Sequence, residues 1–236
     1  FTIDALPSGA AGTFTGTVDP DEDINNGVGG RFDVTITPTG SWTGKLYLGY
    51  YSYSVSGWVM ASRGSSIVIG TATITLPYSD VPLTIAFDFG ANGNVHLFGH
   101  VNLGSSEASF MLWPKMPTAG GRDGLFTGTF ARSELTSPGP KGEGYVTLST
   151  SVAGIVTISG CLADGVVYTG TTHIGPGGEV AIYHSSALAD AVAGRLTVAS
   201  DQSLSGYLHW KRIPQWFTNS LVHYQGFGPL GLSCTG

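Results

Sequence analysis

The sequence predicts an all-β protein: an antiparallel meander β-barrel, or a barrel-like sandwich, of about a dozen strands built from two pseudo-symmetric repeats. Three observations predict it. Apolar and polar residues alternate with period two through most of the chain. Helical periodicity is nearly absent. A Gly-x-Phe-x-Gly segment in the first half returns, with its surroundings, in the second.

The alternation assigns faces. Phe32, Val34 and Ile36 alternate with Arg31, Asp33 and Thr35, and Ala72, Ile74 and Leu76 with Thr71, Thr73 and Thr75. Leu83, Ile85, Phe87 and Phe89 alternate with Thr84, Ala86 and Asp88, and Leu204, Leu208 and Trp210 with Ser205, Tyr207 and His209. One face is to be buried and the other wet, the signature of antiparallel strands. Pro38-Thr39-Gly40, Ala91-Asn92-Gly93-Asn94, Ala163-Asp164-Gly165 and Gly175-Pro176-Gly177-Gly178 separate such runs, and their Asn-Gly and Asp-Gly pairs favour tight hairpins because they tolerate positive φ. Only Ser185 to Val192 reads as a helical turn.

The repeat orders the chain. Gly12-Thr13-Phe14-Thr15-Gly16-Thr17 recurs as Gly124-Leu125-Phe126-Thr127-Gly128-Thr129. A polar loop follows each, then a strand led by Gly30 or Gly144, a hairpin at Gly40 or Gly154, and a strand holding Gly57 or Gly170. Leu97-Phe98-Gly99 parallels Leu204-Ser205-Gly206, and Trp113-Pro114-Lys115 parallels Trp210-Lys211-Arg212. Glycine weakens a strand, so recurrence at Gly16, Gly128, Gly99 and Gly206 points to a geometric need: strong coiling, or an aromatic ring over bare backbone. The expected organisation is one domain. Residues 1–11 form a linker and the end of a preceding domain, 12–120 the first repeat, 121–212 the second, and 213–236 a tail packing on the barrel. Neither repeat alone is expected to bury a full core, so the two should form a single unit.

This frame of Gly-x-Phe-x-Gly, polar loop, alternating strand, Gly-x-Leu, repeat and Trp-Lys resembles a duplicated module of large secreted or surface proteins of bacteria such as Verrucomicrobia and Planctomycetes. There the module often follows immunoglobulin-like domains through a Leu-Pro opening, as at Leu6-Pro7 here, and the ending Tyr224-Gln225-Gly226-Phe227 is similar too. The resemblance covers nearly the whole chain and rests on glycines and aromatics. It implies an extracellular or cell-surface accessory module whose partners are flanking domains of the same polypeptide, and it implies no catalytic residue. The chain departs from it in an Asp-rich loop and in both cysteines.

Composition narrows the function classes. Charged residues make up 11% of the 236 residues while 42% are hydrophobic, so the chain has a core to bury and builds its wet faces from Thr, Ser and Gly. A net charge of -6 with 10 Lys and Arg leaves no basic track for nucleic acid and no polybasic stretch for anionic lipid. No apolar run is long enough for a transmembrane helix. Thr and Ser opposite the apolar face suit a solvated barrel better than one in lipid.

Four groups of residues are candidates for chemistry. Asp19, Asp21, Asp23 and Asn25 alternate like the start of a calcium loop, although the glycine comes late, no bidentate Glu follows, and a solvated acidic loop is the plainer reading. Tyr47, Tyr50 and Trp58 belong to a dense aromatic group that would stack on sugar rings, or else fill the barrel or make a domain contact. Tyr51 and Tyr53 are in phase with Val55 and are assigned to the core. Cys161 and Cys234 are either two unrelated thiols or a disulfide pinning the tail, closing a loop of roughly 70 residues worth about 4 kcal/mol. His96, His100, His173, His184, His209 and His223 are scattered; His96 and His100 lie about 13 Å apart along one strand face, too far to share a metal. No serine-nucleophile motif occurs, and Glu22, Glu107, Glu134, Glu143 and Glu179 sit mostly near turns. The expected function is a non-catalytic structural or adhesive module of a large extracellular or cell-surface protein. The alternative is a carbohydrate- or small-ligand-binding barrel with glycans or other surface proteins as partners, and the third reading is a glycan-active enzyme. No cofactor is expected unless calcium occupies the Asp-rich loop.

Overall fold

In the computed structural model the alternating segments become sixteen strands in two successive antiparallel sheets. The structure describes residues 6, 9–61, 68–76, 80–89, 96–133, 136, 138–186, 190–214 and 225–236, without the side chains of 60, 61, 68 and 69. The segment Phe1 to Asp4, the Asn92-Gly93 turn, Glu134, His223 and Tyr224 lie outside the described residues. Strands β1 (Gly12–Val18), β2 (Gly30–Ile36), β3 (Ser41–Leu48), β4 (Tyr51–Ala61), β5 (Val68–Ile74), β6 (Leu83–Phe89), β7 (Leu97–Leu103) and β8 (Ser106–Pro114) form a closed barrel. The second sheet contains β9 (Gly124–Arg132), β10 (Gly144–Thr150), β11 (Ile155–Cys161), β12 (Val167–His173), β13 (Glu179–Ser185), β14 (Asp190–Val198), β15 (Leu204–Arg212) and β16 (Phe227–Thr235). Its order is β12-β11-β10-β9-β16-β15-β14-β13. Each half is an up-and-down meander whose first and last strands pair, β1 with β8 and β9 with β16.

Several expectations need correction. The described residues form sixteen strands, not about a dozen, because seven-residue strands joined by very short turns run together in the alternation. The C-terminal segment is not a tail lying on the barrel; β16 is a strand within the sheet, between β15 and β9. Leu230, Leu232 and Cys234 point inward there, and Gly231 lets the Tyr207 ring cross the outer face. Ser185 and Asp190 to Val192 belong to strands β13 and β14 rather than to a helix. Among the described residues the one short helix is α1 (Glu22–Asn25), in the polar loop after β1. Trp113 on β8 and Trp210 on β15 do not occupy matching strands, so that pair of landmarks is not equivalent.

The other landmarks do match. Gly16 pairs with Phe32 and Gly128 with Val146, each on the neighbouring second strand. A Cβ on Gly16 would strike the Met111 carbonyl and the Leu112 Cα of β8, and one on Gly99 would enter the Phe110 ring. Close strand approach and a ring over bare backbone are therefore both present. One hairpin geometry recurs: the amide of the first turn residue bonds the carbonyl of the fifth, and the fourth has positive φ. It appears at Thr37–Ser41, Ser151–Ile155, Leu162–Val166, Gly175–Glu179 and Ala199–Ser203. The fourth residue is Gly40, Gly154, Gly165 or Gly178 in four of them and Gln202, at φ 68°, in the fifth.

Each half buries its own core. In the first, Trp42 packs edge-on against Phe32 and Phe87, with ring centroids 6.4 and 5.2 Å away, and Phe32 meets Phe110 at 5.3 Å. In the second, Trp210 meets Phe227 at 4.6 Å among Val146, Leu148, Leu196 and Leu208. Burying each such side chain contributes about 1.5–3 kcal/mol. Separate cores replace the shared one expected for two incomplete repeats. Both halves are apolar inside, and their outer faces carry Thr and Ser, such as Thr35, Ser54, Thr129 and Ser159, among scattered exposed aromatics, the reverse of a water-filled barrel embedded in lipid.

The halves are joined through side chains. Ala191 and Ala193, on the outer face of β14, are small enough for Val28 to pack on them, with Tyr50 and Tyr183 beside. Arg31 donates to the Thr171 carbonyl at 2.9 Å, and Lys211 donates to the Asn26 carbonyl at 2.8 Å and pairs with Glu22 at 3.2 Å. The connection after β8 is bound as well: the Ala119 amide donates to the Val152 carbonyl, and the fully buried Trp113 lies against Gly175.

Candidate ligand-binding site

A pocket of about 290 Å³ opens where the β3–β4 turn of the first half meets β13 of the second. That is near the small end of ligand pockets, about 300–1,000 Å³, and suits one ring. Tyr47, Tyr50 and Tyr51 line it from one side and Tyr183, His184 and Ser185 from the other, with Ser52 at its edge. Local sequence explains the arrangement. Gly49, at φ 53°, turns the chain sharply between β3 and β4 and brings three tyrosines within five positions together. On β13, Val180 and Ile182 fill the core, which leaves Tyr183 on the outer face.

The rings are fixed from opposite halves. The Tyr50 hydroxyl donates to the Lys211 carbonyl at 3.1 Å. The Tyr183 hydroxyl donates to the Gly49 carbonyl at 3.0 Å and reaches Ser185 Oγ at 3.1 Å. Tyr47 and Tyr183 lie 4.9 Å apart at 40°, and Lys45 Nζ stands 5.2 Å from the Tyr47 centroid. Burial raises both the Tyr50 and Tyr183 hydroxyls above the ordinary tyrosine value, so they stay neutral donors. His184 is pushed below the ordinary histidine value by burial, against the opposing pull of Asp190. Tyr51 is 59% exposed and offers an open face. Neutral, pre-oriented tyrosines with an exposed ring suit stacking on a sugar and hydrogen bonding to its hydroxyls.

Of the aromatic residues singled out from sequence, Tyr47 and Tyr50 line this pocket. Trp58 does not; it stands apart on β4 at 62% exposure. Tyr51 is not in the core, because it begins its strand beyond the barrel's apolar layer, whereas Tyr53 does pack on that core. Sequence reasoning missed Tyr183 and His184. The readable signal was an aromatic out of phase with Val180 and Ile182.

The Asp-rich loop is organised around backbone. Asp21 caps α1, its Oδ1 accepting from the Asp23 and Ile24 amides. Asn25 is fully buried: its Oδ1 accepts from the Asp21 and Gly29 amides and its Nδ2 donates to the Asp19 carbonyl. Asp23 accepts from Ser106, while Asp19 lies in a different groove. With Asn25 and Asp21 already engaged by the backbone, the four side chains do not converge as a calcium loop requires. Among the described residues, no three His, Cys, Asp or Glu side chains are placed to share a metal.

The disulfide is not formed, and both thiols are free. Cys161 lies on β11 in phase with the outward Ile155, Thr157 and Ser159, and Cys234 lies on β16 in phase with the inward Leu230 and Leu232. Two strands, β10 and β9, stand between them. A bond needs Cα atoms within about 7 Å and converging side chains. Burial pushes the Cys234 thiol up to about 11.

The described histidines hold no shared site. His96 lies by Phe98 with centroids 6.0 Å apart, and His100 pairs with Glu107 at 3.2 Å. A buried cluster closes one end of the second barrel. Arg212 Nε and Nη2 donate to Asp190 at 2.9 and 3.0 Å, Arg212 also binds Asp164 in the β11–β12 hairpin, and Trp210 Nε1 donates to Asp190 at 3.2 Å. One guanidinium is shared by two carboxylates, and every charged group in the cluster is engaged inside the fold, which marks it as structural.

No family model and no curated protein matches the chain. Among solved structures it is similar to a Bacteroides fragilis protein provisionally assigned as an outer membrane protein, at 9% identity, a TM-score of 0.28, and coverage of 96% of this chain and 97% of that one. It is also similar to a protein of unknown function in the DUF3598 family of Nostoc punctiforme, at 10% identity, a TM-score of 0.29 and 95% coverage of both chains. At these scores neither likeness carries weight for function.

Proposed function

We propose that this protein is a non-catalytic module of an extracellular or cell-surface polypeptide that holds glycan in the tyrosine pocket between its two barrels. The observation that carries this reading is the pocket's construction: its rings come from both halves, and two of its hydroxyls are tied to backbone carbonyls of the other half. Such fixing lowers the ordering cost of binding. The hydroxyl-rich outer faces and the duplicated pattern resembling bacterial surface modules support an extracellular setting and flanking-domain partners. The pocket offers stacking faces and, at Tyr50 and Tyr183, phenolic oxygens that remain free to accept from sugar hydroxyls, the means of recognising a neutral ring rather than of cleaving one. A neutral-glycan array, followed by titration of the retained sugars with the Tyr51→Ala and Tyr47→Ala variants, tests the reading. Retention should fall about fivefold or more in Tyr51→Ala, since losing a stacked ring costs about 1–2 kcal/mol. An array with no retained neutral sugar, or retention unchanged in both variants, overturns it.

A further inference from the structure

A second groove, of about 590 Å³, shares no residue with the tyrosine pocket. It forms where the barrels diverge. Ala191 and Ala193 of β14 are packed against the first barrel, and the same face of the strand then continues to Arg195 and Thr197, which line open space. Asp19, directly after β1, faces them; its amide is fixed to the Ser109 carbonyl at 2.8 Å. Arg195 and His209 act on the Asp19 carboxyl electrostatically, yet among the described residues Asp19 and Arg195 form no ion pair, and neither side chain has a hydrogen-bond partner. Tyr207 stacks edge-on with His209 at 4.9 Å, and its hydroxyl contacts Ser133 at 3.1 Å. Its ring, 41% exposed, and that of Phe98, 44% exposed, come from opposite halves. Beyond Tyr207 and His209 the depression continues toward Glu22 and Pro229.

A guanidinium is donor-only and a carboxylate acceptor-only. Both are unspent here and flanked by aromatic faces, so the complementary ligand carries an anionic group, hydroxyl donors and an apolar ring face together. We infer that this groove binds a carboxylated sugar within an acidic glycan: Arg195 takes the carboxylate in a bidentate pair, Asp19 accepts from ring hydroxyls, and Tyr207 meets the sugar face. The extension past His209 gives room for a neighbouring residue of the chain. The inference shares only the ligand class with the tyrosine-pocket reading and stands or falls separately.

Titration calorimetry of the full chain with tetragalacturonate, tetramannuronate and a hyaluronan tetrasaccharide, against cellotetraose at equal ionic strength, tests it. At least one acidic tetramer should bind more tightly than cellotetraose, and Arg195→Gln should weaken that binding roughly tenfold or more, the usual scale of a charge-assisted pair. Tyr51→Ala should leave it unchanged, which separates this groove from the tyrosine pocket. Arg195 is exposed, so the variant should keep the parent's melting temperature. Failure of all three acidic tetramers to bind at millimolar concentration, or equal binding by parent and Arg195→Gln, overturns the inference.

Discussion

The two halves part company at the seam between their fourth and fifth strands. In the first, β4 and β5 pair from Trp58↔Thr71 to Ala61↔Val68, and the barrel closes on itself. In the second, β12 and β13 leave the Gly175–Glu179 hairpin side by side but share no ladder. An open sheet edge invites pairing with other chains. Here the first barrel lies along it: Arg31 takes a carbonyl of β12, and Tyr183 of β13 reaches back to Gly49. One copy of a duplicated meander has given up a ladder and is completed by its sibling. The dependence runs one way, since the first barrel's own hydrogen-bonded ring is whole.

The sharpest way to break this asymmetry is Asp190→Ala. It leaves Arg212 buried with its main partner gone and Trp210 Nε1 unbonded, and should cost about 3–5 kcal/mol. Hydrogen exchange followed by mass spectrometry should show protection lost over residues 124–235 before 12–114; equal loss in both halves would make the molecule one cooperative unit. Next is the pair Gly16→Ala and Gly128→Ala. The first drives a Cβ into the β8 backbone and should cost about 1–3 kcal/mol. The second meets two side-chain atoms, Cys234 Sγ at 2.8 Å and Leu204 Cδ2 at 3.1 Å, and backbone only at the Thr235 carbonyl, 3.2 Å away, so it should cost less. Urea denaturation ranks the two, and a reversed order would mean that the second half is the more rigid at its closing strands.

Gln202→Gly should stabilise the protein by about 0.5–1 kcal/mol, because it places glycine where the four equivalent hairpins already have it. An unchanged or lowered melting temperature would show that the Gln202 side chain contributes something its four counterparts do not. Mild acid should have the smallest effect. His173, His184 and His209, on β12, β13 and β15, are all held below the ordinary histidine value chiefly by burial. The unfolded chain takes up their protons near pH 6.5 while the folded chain resists, so stability is full above that value and falls as the pH drops through it. Asp19, raised by burial, works in the opposite sense, but only nearer the carboxylate range. A melting series from pH 7.5 to 5.5 should show a modest decline, with exchange increasing first in the second half. A flat profile would show that these histidines gain protons without opening the fold.

Alternation made the inward faces of β2, β6 and β15 legible, and glycine recurrence made the duplication legible, because both follow from period-two geometry and close backbone approach. Strand β16 was hidden by Gly226, Gly228 and Gly231, which read as a tail but accommodate neighbouring backbone and the Tyr207 ring. Tyr47 and Tyr50 could be chosen from their density alone. Their partner Tyr183 lies over a hundred residues away, and only the docking of one barrel on the other brings it near. The Asp-rich loop misled for a similar reason: Asp21 and Asn25 are oxygen donors in sequence, but a four-residue helix uses them as caps and braces.

The pairing of β16 with β9 has a consequence for synthesis. Leu232 to Thr235 lie against Arg132 to Thr129, so the second sheet has its hydrogen-bonded neighbours in place only when its final strand has left the ribosome. The first barrel needs nothing beyond β8 and can close while the rest is still being made, since domains of a growing chain fold from the N-terminal side. The Arg31 guanidinium and the Gly49 carbonyl are then already in position when β12 and β13 appear. The earlier-born barrel acts as a scaffold for the later one, shielding an edge that would otherwise wait unpaired through the slowest, most non-local step of the chain's assembly.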